Sequence, residues 1–318
     1  MTIAIIGAGV AGLSAARELR ANGIDVRLFD KSRGVSGRMS TRYAGAWEFD
    51  HGAQYLTVQD EDFRAEIDRT IEAGSCAPWA ARALYLKTGE LSSDTGRDRY
   101  VGTPRMNSLP KFWAEGLNIE LSRRVSKVTR GETWTLEFED GSVETGFDGV
   151  ISTLPPAQAQ LVLPDDFKQM ETVKSAEMNV CFTLMIGLNA PVDPGWDTLR
   201  VKDLPIDWIS MNHAKPGRSQ DVGTVVVTSE PDWSNTHQDA DREWVQDVML
   251  KSASALIGMP LQDSPHLALH RWLYASNKTS PDVDCLIGDG IVACGDWCLG
   301  GRVQGAWLSG RAAARVFV

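Results

Sequence analysis

Residues 3–30 leave this chain little choice in how it begins to fold. Ile3-Ala4-Ile5-Ile6 is an apolar run of the length of a short buried strand, and it leads straight into Gly7-Ala8-Gly9-Val10-Ala11-Gly12. Leu13 to Asn22 has helical composition, Gly23 stops that helix, and Asp25 to Asp30 reads as a second strand. Strand, glycine turn, helix and strand in this order have the logic of a dinucleotide pyrophosphate site. Gly7 permits the tight turn, Gly9 lets backbone approach a phosphate, and Gly12 lets helix and strand pack closely. The helix N-terminus offers unpaired N–H groups and a partial positive charge to the anion. Asp30 lies 18 positions after Gly12, at the end of the second strand, where a carboxylate accepts from the hydroxyls of an adenosine ribose. This unit alone leaves NAD and FAD both open.

Composition removes several classes of function. The chain has 318 residues, enough for two domains or one large discontinuous one, and a net charge of -10 without a basic block. Nucleic acids and anionic membranes select clustered Lys and Arg, so neither is expected as a partner. The five cysteines (Cys76, Cys181, Cys285, Cys294 and Cys298) are odd in number and scattered, which is neither a disulfide framework nor a zinc pattern. Reduced, buried thiols in the cytoplasm and no metal are the expectation. Met1 to Ala16 lacks the basic start of a signal peptide, and no stretch approaches the ~20 apolar residues of a spanning helix.

Beyond Asp30 the loop Lys31 to Arg42 carries Gly37 and Arg38 among four basic residues, donors suited to a pyrophosphate. Trp47 to Tyr55 is aromatic and polar and ends in Gly52-Ala53-Gln54-Tyr55, where small residues admit a flat ring and Gln54 or Tyr55 donates to it or stacks near it. His51 stands alone beside them. Periodicity predicts a helix over Asp60 to Ala73, a hairpin around Thr88-Gly89, a strand over Asn118 to Thr129, and a hairpin around Asp140-Gly141. Asp148 to Leu154 reads as a buried strand closed by Pro155-Pro156. Antiparallel strands follow at Met178–Leu188, Trp208–Met211 and Gly223–Ser229. A helix over Asp239 to Ile257 has Trp244, Val248 and Leu256 on its apolar face, and His270 to Ala275 ends another strand.

The chain closes on an apolar strand, Gly295-Asp296, a Gly300-Gly301 loop and a small-residue helix from Arg302, which form a second helix-terminus ligand site. One site at each end of the chain suits a single extended molecule. FAD fits that arrangement, with pyrophosphate at the first helix and flavin at the last, whereas an isolated NAD site does not require the terminal unit.

With both ends in view the sequence resembles the renalase family, within the wider group of flavin amine oxidase-like proteins. The resemblance is carried by Gly7-x-Gly9-x-x-Gly12, Phe29-Asp30-Lys31, Gly37-Arg38-Met39, Asp50-x-Gly52-Ala53-Gln54-Tyr55, Arg271-Trp272-x-Tyr274-Ala275, and Gly295-Asp296-Trp297 through Arg302-Val303-x-Gly305-Ala306. It implies an α/β fold with a discontinuous Rossmann-type FAD domain of the p-hydroxybenzoate hydroxylase type. That domain is expected over 1–78, 98–155 and 280–318, with an inserted α+β substrate domain on an antiparallel sheet over 79–97 and 156–279. It implies non-covalent FAD and oxidation of isomeric dihydronicotinamide dinucleotides to NAD or NADP, the electrons passing to oxygen as hydrogen peroxide. Ser36, His51 and Gln304 depart from the family pattern, and the latter two put substrate preference in question.

Chemistry then distributes roles. Hydride transfer to a flavin needs the donor carbon held roughly 3–3.5 Å over the ring and little acid–base help. The helix start at Arg302, Val303, Gln304 and Ala306 is expected at the flavin N1 and C2 carbonyl edge. Asp296 is assigned to the ribityl or pyrophosphate region, Arg38 to the pyrophosphate, and the Val125 backbone to adenine. Trp272 and Tyr274, with His51, are expected to wall the substrate cavity. Two rivals stand beside this reading: an amine oxidase or desaturase, disfavoured because no lysine sits in an apolar strand context near the ring, and a non-catalytic FAD-binding interaction protein.

Overall fold

The computed structural model describes residues 1–94 and 96–318. Two large sheets organise it. The first has six strands in the order Leu286–Ile287, Ile291–Ala293, Gly149–Ser152, Thr2–Ile6, Asp25–Phe29 and Ile119–Glu120. All its pairings are parallel except Leu286–Ile287 with Ile291–Ala293. The apolar run at 3–6 lies at the centre of this sheet, and all four of its side chains are buried. Strands buried on both faces read as continuous apolar runs, which is why this one was visible.

Helix Val10–Ala21 follows the glycine turn, and helix Arg302–Arg315 from the other end of the chain packs against it. The approach is backbone to backbone. A Cβ on Gly310 would lie 2.1 Å from the Ala11 carbonyl oxygen, and the Ser14 hydroxyl donates to the Trp307 carbonyl at 2.7 Å. Helices from the two ends of the sequence therefore pack together on one face of the parallel sheet.

The second sheet has seven strands in the order His266–Asn277, Met178–Leu188, Gly223–Ser229, Ile206–Met211, Thr198–Val201, Ala83–Lys87 and Glu90–Ser93. It is antiparallel apart from one pairing, Thr198–Val201 with Ala83–Lys87, which is parallel. Helix Arg242–Ile257 covers its outer face through Val245, Met249, Leu250 and Ala253. Of the expected apolar face Leu256 packs against this core, but Trp244 is exposed, lying over Trp233 and His237 at the surface, and its neighbour Val245 is buried instead. Its inner face meets the hairpin of Thr41–Ala44 and Trp47–Asp50, where Trp47 fills the space over Gly187 and donates to the Leu188 carbonyl.

Two further expectations need correction. The strand read over 118–129 is two strands, Ile119–Glu120 in the parallel sheet and Val125–Arg130 in a separate three-stranded sheet, because the backbone turns through a positive φ at Ser122. Helices Pro156–Val162 and Met170–Ser175, which the boundary at 155 assigned to the substrate domain, pack instead on the parallel sheet. Ala159, Val162, Met170 and Val173 join the core of Ile6, Phe29 and Val150. Their apolar faces have the nearest uncovered sheet surface to bury against. Among the described residues no helix is long and apolar enough to cross a membrane, and no group of metal-ligating side chains assembles.

Candidate active site

A cleft of about 1600 Å³ separates the two sheets. Ligand pockets are commonly about 300–1,000 Å³, so this one has room for more than one small molecule. At one end lies the glycine turn. Gly7 has φ +106°, and a Cβ on Gly12 would sit 1.9 Å from the Gly7 oxygen, so helix and turn touch with nothing between them. Gly9 and Gly37 face each other across the cleft floor, and a Cβ on Gly37 would lie 3.4 Å from the Gly9 Cα. The helix begins at Gly9 with no side-chain cap, which leaves its first N–H groups free for an anion.

Asp30 stands at the end of the second strand. Its carboxylate accepts from the Ala8 N–H at 2.6 Å and the Ser32 N–H at 2.7 Å, one on each oxygen. Each oxygen keeps a lone pair toward the cleft. Lys31 donates to Gln158 at 3.2 Å. Val125 is buried at the cleft wall.

At the other end, helix Arg302–Arg315 also starts without a side-chain cap, at Gly301. Arg38 and Asp296, assigned separately from sequence, form a bidentate pair, one arm of which is 2.9 Å; Arg38 also donates to the Ala275 carbonyl at 3.2 Å. One guanidinium therefore joins the first loop, the last glycine loop and the end of the large sheet. Val303 and Ala306 line the cleft, as do Gly52, Ala53 and Tyr55.

Three expected cofactor residues do not line it. Gly12 is packed under the turn, and Ala8 is engaged through its backbone with Asp30 and Ser36. Gln304 points away, its amide oxygen accepting from the Gln59 and Asp60 N–H groups at 2.7 and 3.2 Å. Gln54 lines the cleft, but its amide is turned inward: the N–H2 donates to the carbonyls of Asp50 and Gly52, and the oxygen accepts from Lys215.

Lys215 is a buried lysine that the sequence reading did not single out. It follows strand Ile206–Met211, is fully buried, and shares Asp50 with Arg218; the contacts to that carboxylate are 3.3 and 2.6 Å. Burial alone would raise the Asp50 carboxyl, but Lys215 and Arg218 hold it far below the ordinary carboxylate range. Burial in turn pulls the Lys215 ammonium down. Lys215 does not reach the cleft. It lies behind Gln54 and braces the segment that does. Lysines that pair with a partner 165 residues away leave no local pattern to read.

His51, Trp272 and His270 form an aromatic cluster with ring centroids 4.5–5.1 Å apart. The Trp272 indole N–H donates to the His51 carbonyl at 2.9 Å. His51 Nδ1 is buried without a partner among the described residues. Burial, with His270 and Arg42 nearby, lowers His51 to about 4, so it is a neutral imidazole at pH 7. Its unfolded-state value is higher, near 6.5, so the unfolded chain binds more protons between pH 6.5 and 4. His51 therefore withdraws stability as pH falls through that window. His51→Gln is expected to flatten the fall of Tm between pH 6.5 and 4 relative to wild type; parallel curves would refute the assignment.

The thiols are inert by the same physics. Burial pushes Cys76 and Cys285 to about 11 and Cys181 and Cys298 to about 12, and raises Cys294 well above its usual value. Since the thiolate is the nucleophile, Ellman's reagent at pH 8 is expected to label none of the five in the folded protein and all five in urea. Rapid labelling of a native thiol would contradict this.

The lining is strongly basic. Lys31, Arg33, Arg38, Arg42 and Arg97 face the cleft, with Lys111, Arg123, Arg124, Arg271 and Arg302, against only Asp30, Asp207 and Asp296. Arg38, Arg123, Arg124 and Arg271 have carboxylate partners; the other six have none among the described residues. The protein as a whole carries -10.

Two uncapped helix ends, a side-chain-free floor and a cleft of this length fit a dinucleotide cofactor. Family comparisons agree. Residues 5–69 match the NAD(P)-binding Rossmann-like domain, and residues 71–317 match the flavin containing amine oxidoreductase family. The chain belongs to that family, and is by that membership an FAD-dependent oxidoreductase.

Among solved structures, a putative protoporphyrinogen oxidase from Exiguobacterium sp. 255-15 superimposes with a TM-score of 0.80 at 12% identity, covering 99% of this chain and 98% of that one. Putrescine oxidase bound to putrescine gives 0.75 at 13% identity, covering 100% and 99%. Reduced UDP-galactopyranose mutase gives 0.81 at 12% identity, covering 99% and 93%. At such identities these establish a shared fold. A 4,4'-diapophytoene desaturase from Staphylococcus haemolyticus is 45% identical over 60 residues, 19% of this chain and 12% of that enzyme. The chain thus matches only about an eighth of the length of that curated relative.

Proposed function

We propose that this enzyme oxidises an anionic dihydronicotinamide dinucleotide, in the isomeric form carrying hydride on the wrong ring carbon, to NAD or NADP. Oxygen is the acceptor and hydrogen peroxide the second product, as the renalase resemblance implies. The observation that carries the reading is the charge of the cleft. A protein of net charge -10 lines it with ten cations and three carboxylates. FAD brings one pyrophosphate, and the six cations without carboxylate partners exceed what that single group would neutralise. A second pyrophosphate suits the surplus, whereas a cationic amine would be repelled by it.

In this reading Gly7, Gly9, Val10 and Ala11 hold the FAD pyrophosphate, Asp30 its ribose, and Val125 its adenine. Gly52, Ala53 and Tyr55 back the ring, with Val303 and Ala306 at the second helix end. FAD is held without a covalent bond and supplies the two-electron acceptor. The protein's task is then to exclude water and orient the nicotinamide, with Trp272 and Tyr274 as walls and neutral His51 as a hydrogen-bonding group. No side chain has to move a proton for hydride to leave.

Amine oxidation is the second reading, supported by the family and by the likeness to putrescine oxidase. Anaerobic mixing discriminates. The isomeric dihydronicotinamide dinucleotides are expected to bleach the flavin band within the mixing time, and simple amines to leave it unchanged. Bleaching by amines alone would reverse the order, and bleaching by neither would favour a non-catalytic FAD protein.

A further inference from the structure

The seven-stranded sheet forms one wall of the cleft, and strand Ile206–Met211 carries an irregularity in it. Ile206 pairs with Ser229 and Trp208 with Thr228, so Asp207 is one residue more than the partner strand supplies. An extra residue of this kind re-aims a side chain. Ile206 and Ile209 stay in the core under helix Arg242–Ile257. Trp208 turns to the inner face, where its ring lies 5.5 Å from that of Tyr55. Asp207 reaches the same side, where the Thr228 hydroxyl donates to it at 2.8 Å. Asp207, Thr228 and Tyr55 all line the cleft. A carboxylate therefore stands next to the residue that packs on the segment assigned to the flavin ring.

The three carboxylates of the cleft differ in what holds them. Asp30 accepts from two backbone N–H groups, and Asp296 is paired with Arg38. Asp207 accepts only from a neutral hydroxyl and has no cation within ion-pair distance among the described residues. Burial pushes its carboxyl up to about 6 against the Thr228 hydrogen bond; Glu230 adds to the rise, and Lys202 and Arg200 oppose it. At pH 7.5 it is therefore an anion. Cys181, the other titratable group near it, stays a neutral thiol. A half-buried anion with no cation in contact is unfavourable unless the bound state supplies one.

We infer that Asp207 is the counter-charge of the nicotinamide ring, placed to favour that ring as oxidation turns it cationic. The inference rests on the dinucleotide reading above. A dihydronicotinamide ring is neutral. Its carbon–hydrogen bond breaks with both electrons leaving on the hydrogen to FAD, so the ring ends as a pyridinium of charge +1. The two electrons lost by the ring are the two gained by the cofactor, and no proton is released. A fixed anion facing the ring interacts more strongly with the transition state and the product than with the substrate. Only such a differential interaction lowers a barrier.

The test is binding of NAD+ and its tetrahydronicotinamide analogue to the oxidised holoenzyme at pH 7.5, read from the perturbation of the flavin spectrum without turnover. The analogue keeps the phosphates, riboses and carboxamide, and its ring is neutral and not oxidised. Asp207→Asn, equal in size and uncharged, is expected to lower the ratio of NAD+ to analogue affinity by at least about tenfold. Asp207→Glu keeps part of the wild-type ratio. In wild type the ratio falls as pH drops through about 6, and in Asp207→Asn it stays level there. The anaerobic bleaching rate at saturating isomeric dihydronicotinamide falls in Asp207→Asn, while the concentration giving half that rate is unchanged, a split that a merely structural role would not produce. Flavin content and Tm of each variant report folding separately. An equal ratio in Asp207→Asn and wild type, or a loss equal for both ligands, overturns the counter-charge alone, provided the isomeric dihydronicotinamides bleach the wild-type flavin. Absence of both binding and bleaching overturns the dinucleotide reading and the counter-charge with it. So does amine-driven bleaching that depends on Asp207.

Discussion

Asp50→Ala is expected to cost about 3–5 kcal/mol of stability, the usual result of stripping the partner from a buried charge. The carboxylate, 1% exposed, accepts from the Thr41 hydroxyl at 2.8 Å and the Met106 N–H at 3.0 Å as well as from Lys215 and Arg218. Alanine would leave two cations in the interior with no counter-charge between them. For a chain of this size the loss corresponds to a fall in Tm of about 4–8 °C. Asp50→Asn keeps the volume and an acceptor and is expected to fall between. The pH dependence has a definite sign: because the folded-state carboxyl is held far below its unfolded value, its contribution is present at neutral pH and is withdrawn only as pH falls into the strongly acid range. A Tm for Asp50→Ala within 2 or 3 °C of wild type would show that the cations find other compensation.

The second large effect separates two glycines of one motif. Gly12→Ala puts a methyl group 1.9 Å from the Gly7 oxygen, an overlap that only movement of helix or turn relieves. Both fold and cofactor are expected to suffer, giving poorly soluble, colourless protein. At Gly9 the nearest protein atom to an added Cβ is 3.9 Å away, so Gly9→Ala is expected to fold. If that space belongs to a phosphate, the variant loses FAD affinity by at least about tenfold, equivalent to ~1.4 kcal/mol, while the apoprotein keeps its Tm. Equal flavin retention by Gly9→Ala and wild type would remove the pyrophosphate assignment. Equal apoprotein stability of Gly12→Ala and wild type would refute the packing argument.

What was legible in the sequence was local. The strand, turn and helix from Ile3 to Asn22 announce themselves because their determinants are contiguous: an apolar run, spaced glycines, a helix stop. The parallel sheet and the start of the last helix after Gly301 were legible for the same reason. The role of Gln304 was not, because a helix start shows which residues are near a ligand but not which way each points. Arg38 and Asp296 were both assigned to the site, yet their pairing across 258 residues was invisible. Lys215 and Asp207 were missed outright. The first is a cation whose burial makes sense only once Asp50 is beside it. The second is an acid that faces the cleft only because an irregular pairing turns it there, and alternation along Ile206–Met211 carries no mark of that shift.

The contact between Gly310 and Ala11 has a consequence for how the protein is made. The glycine turn precedes the helix that lies on it by some 290 residues, so the ribosome makes that helix much later. Until then the face of the first helix that will receive Trp307 has no cover. The two uncapped helix ends cannot act on one ligand before translation of that helix is complete. If both helix ends hold the flavin, as proposed, its capture waits on the synthesis of that helix. Trimming the last helix is expected to yield apoprotein whatever the state of the glycine turn.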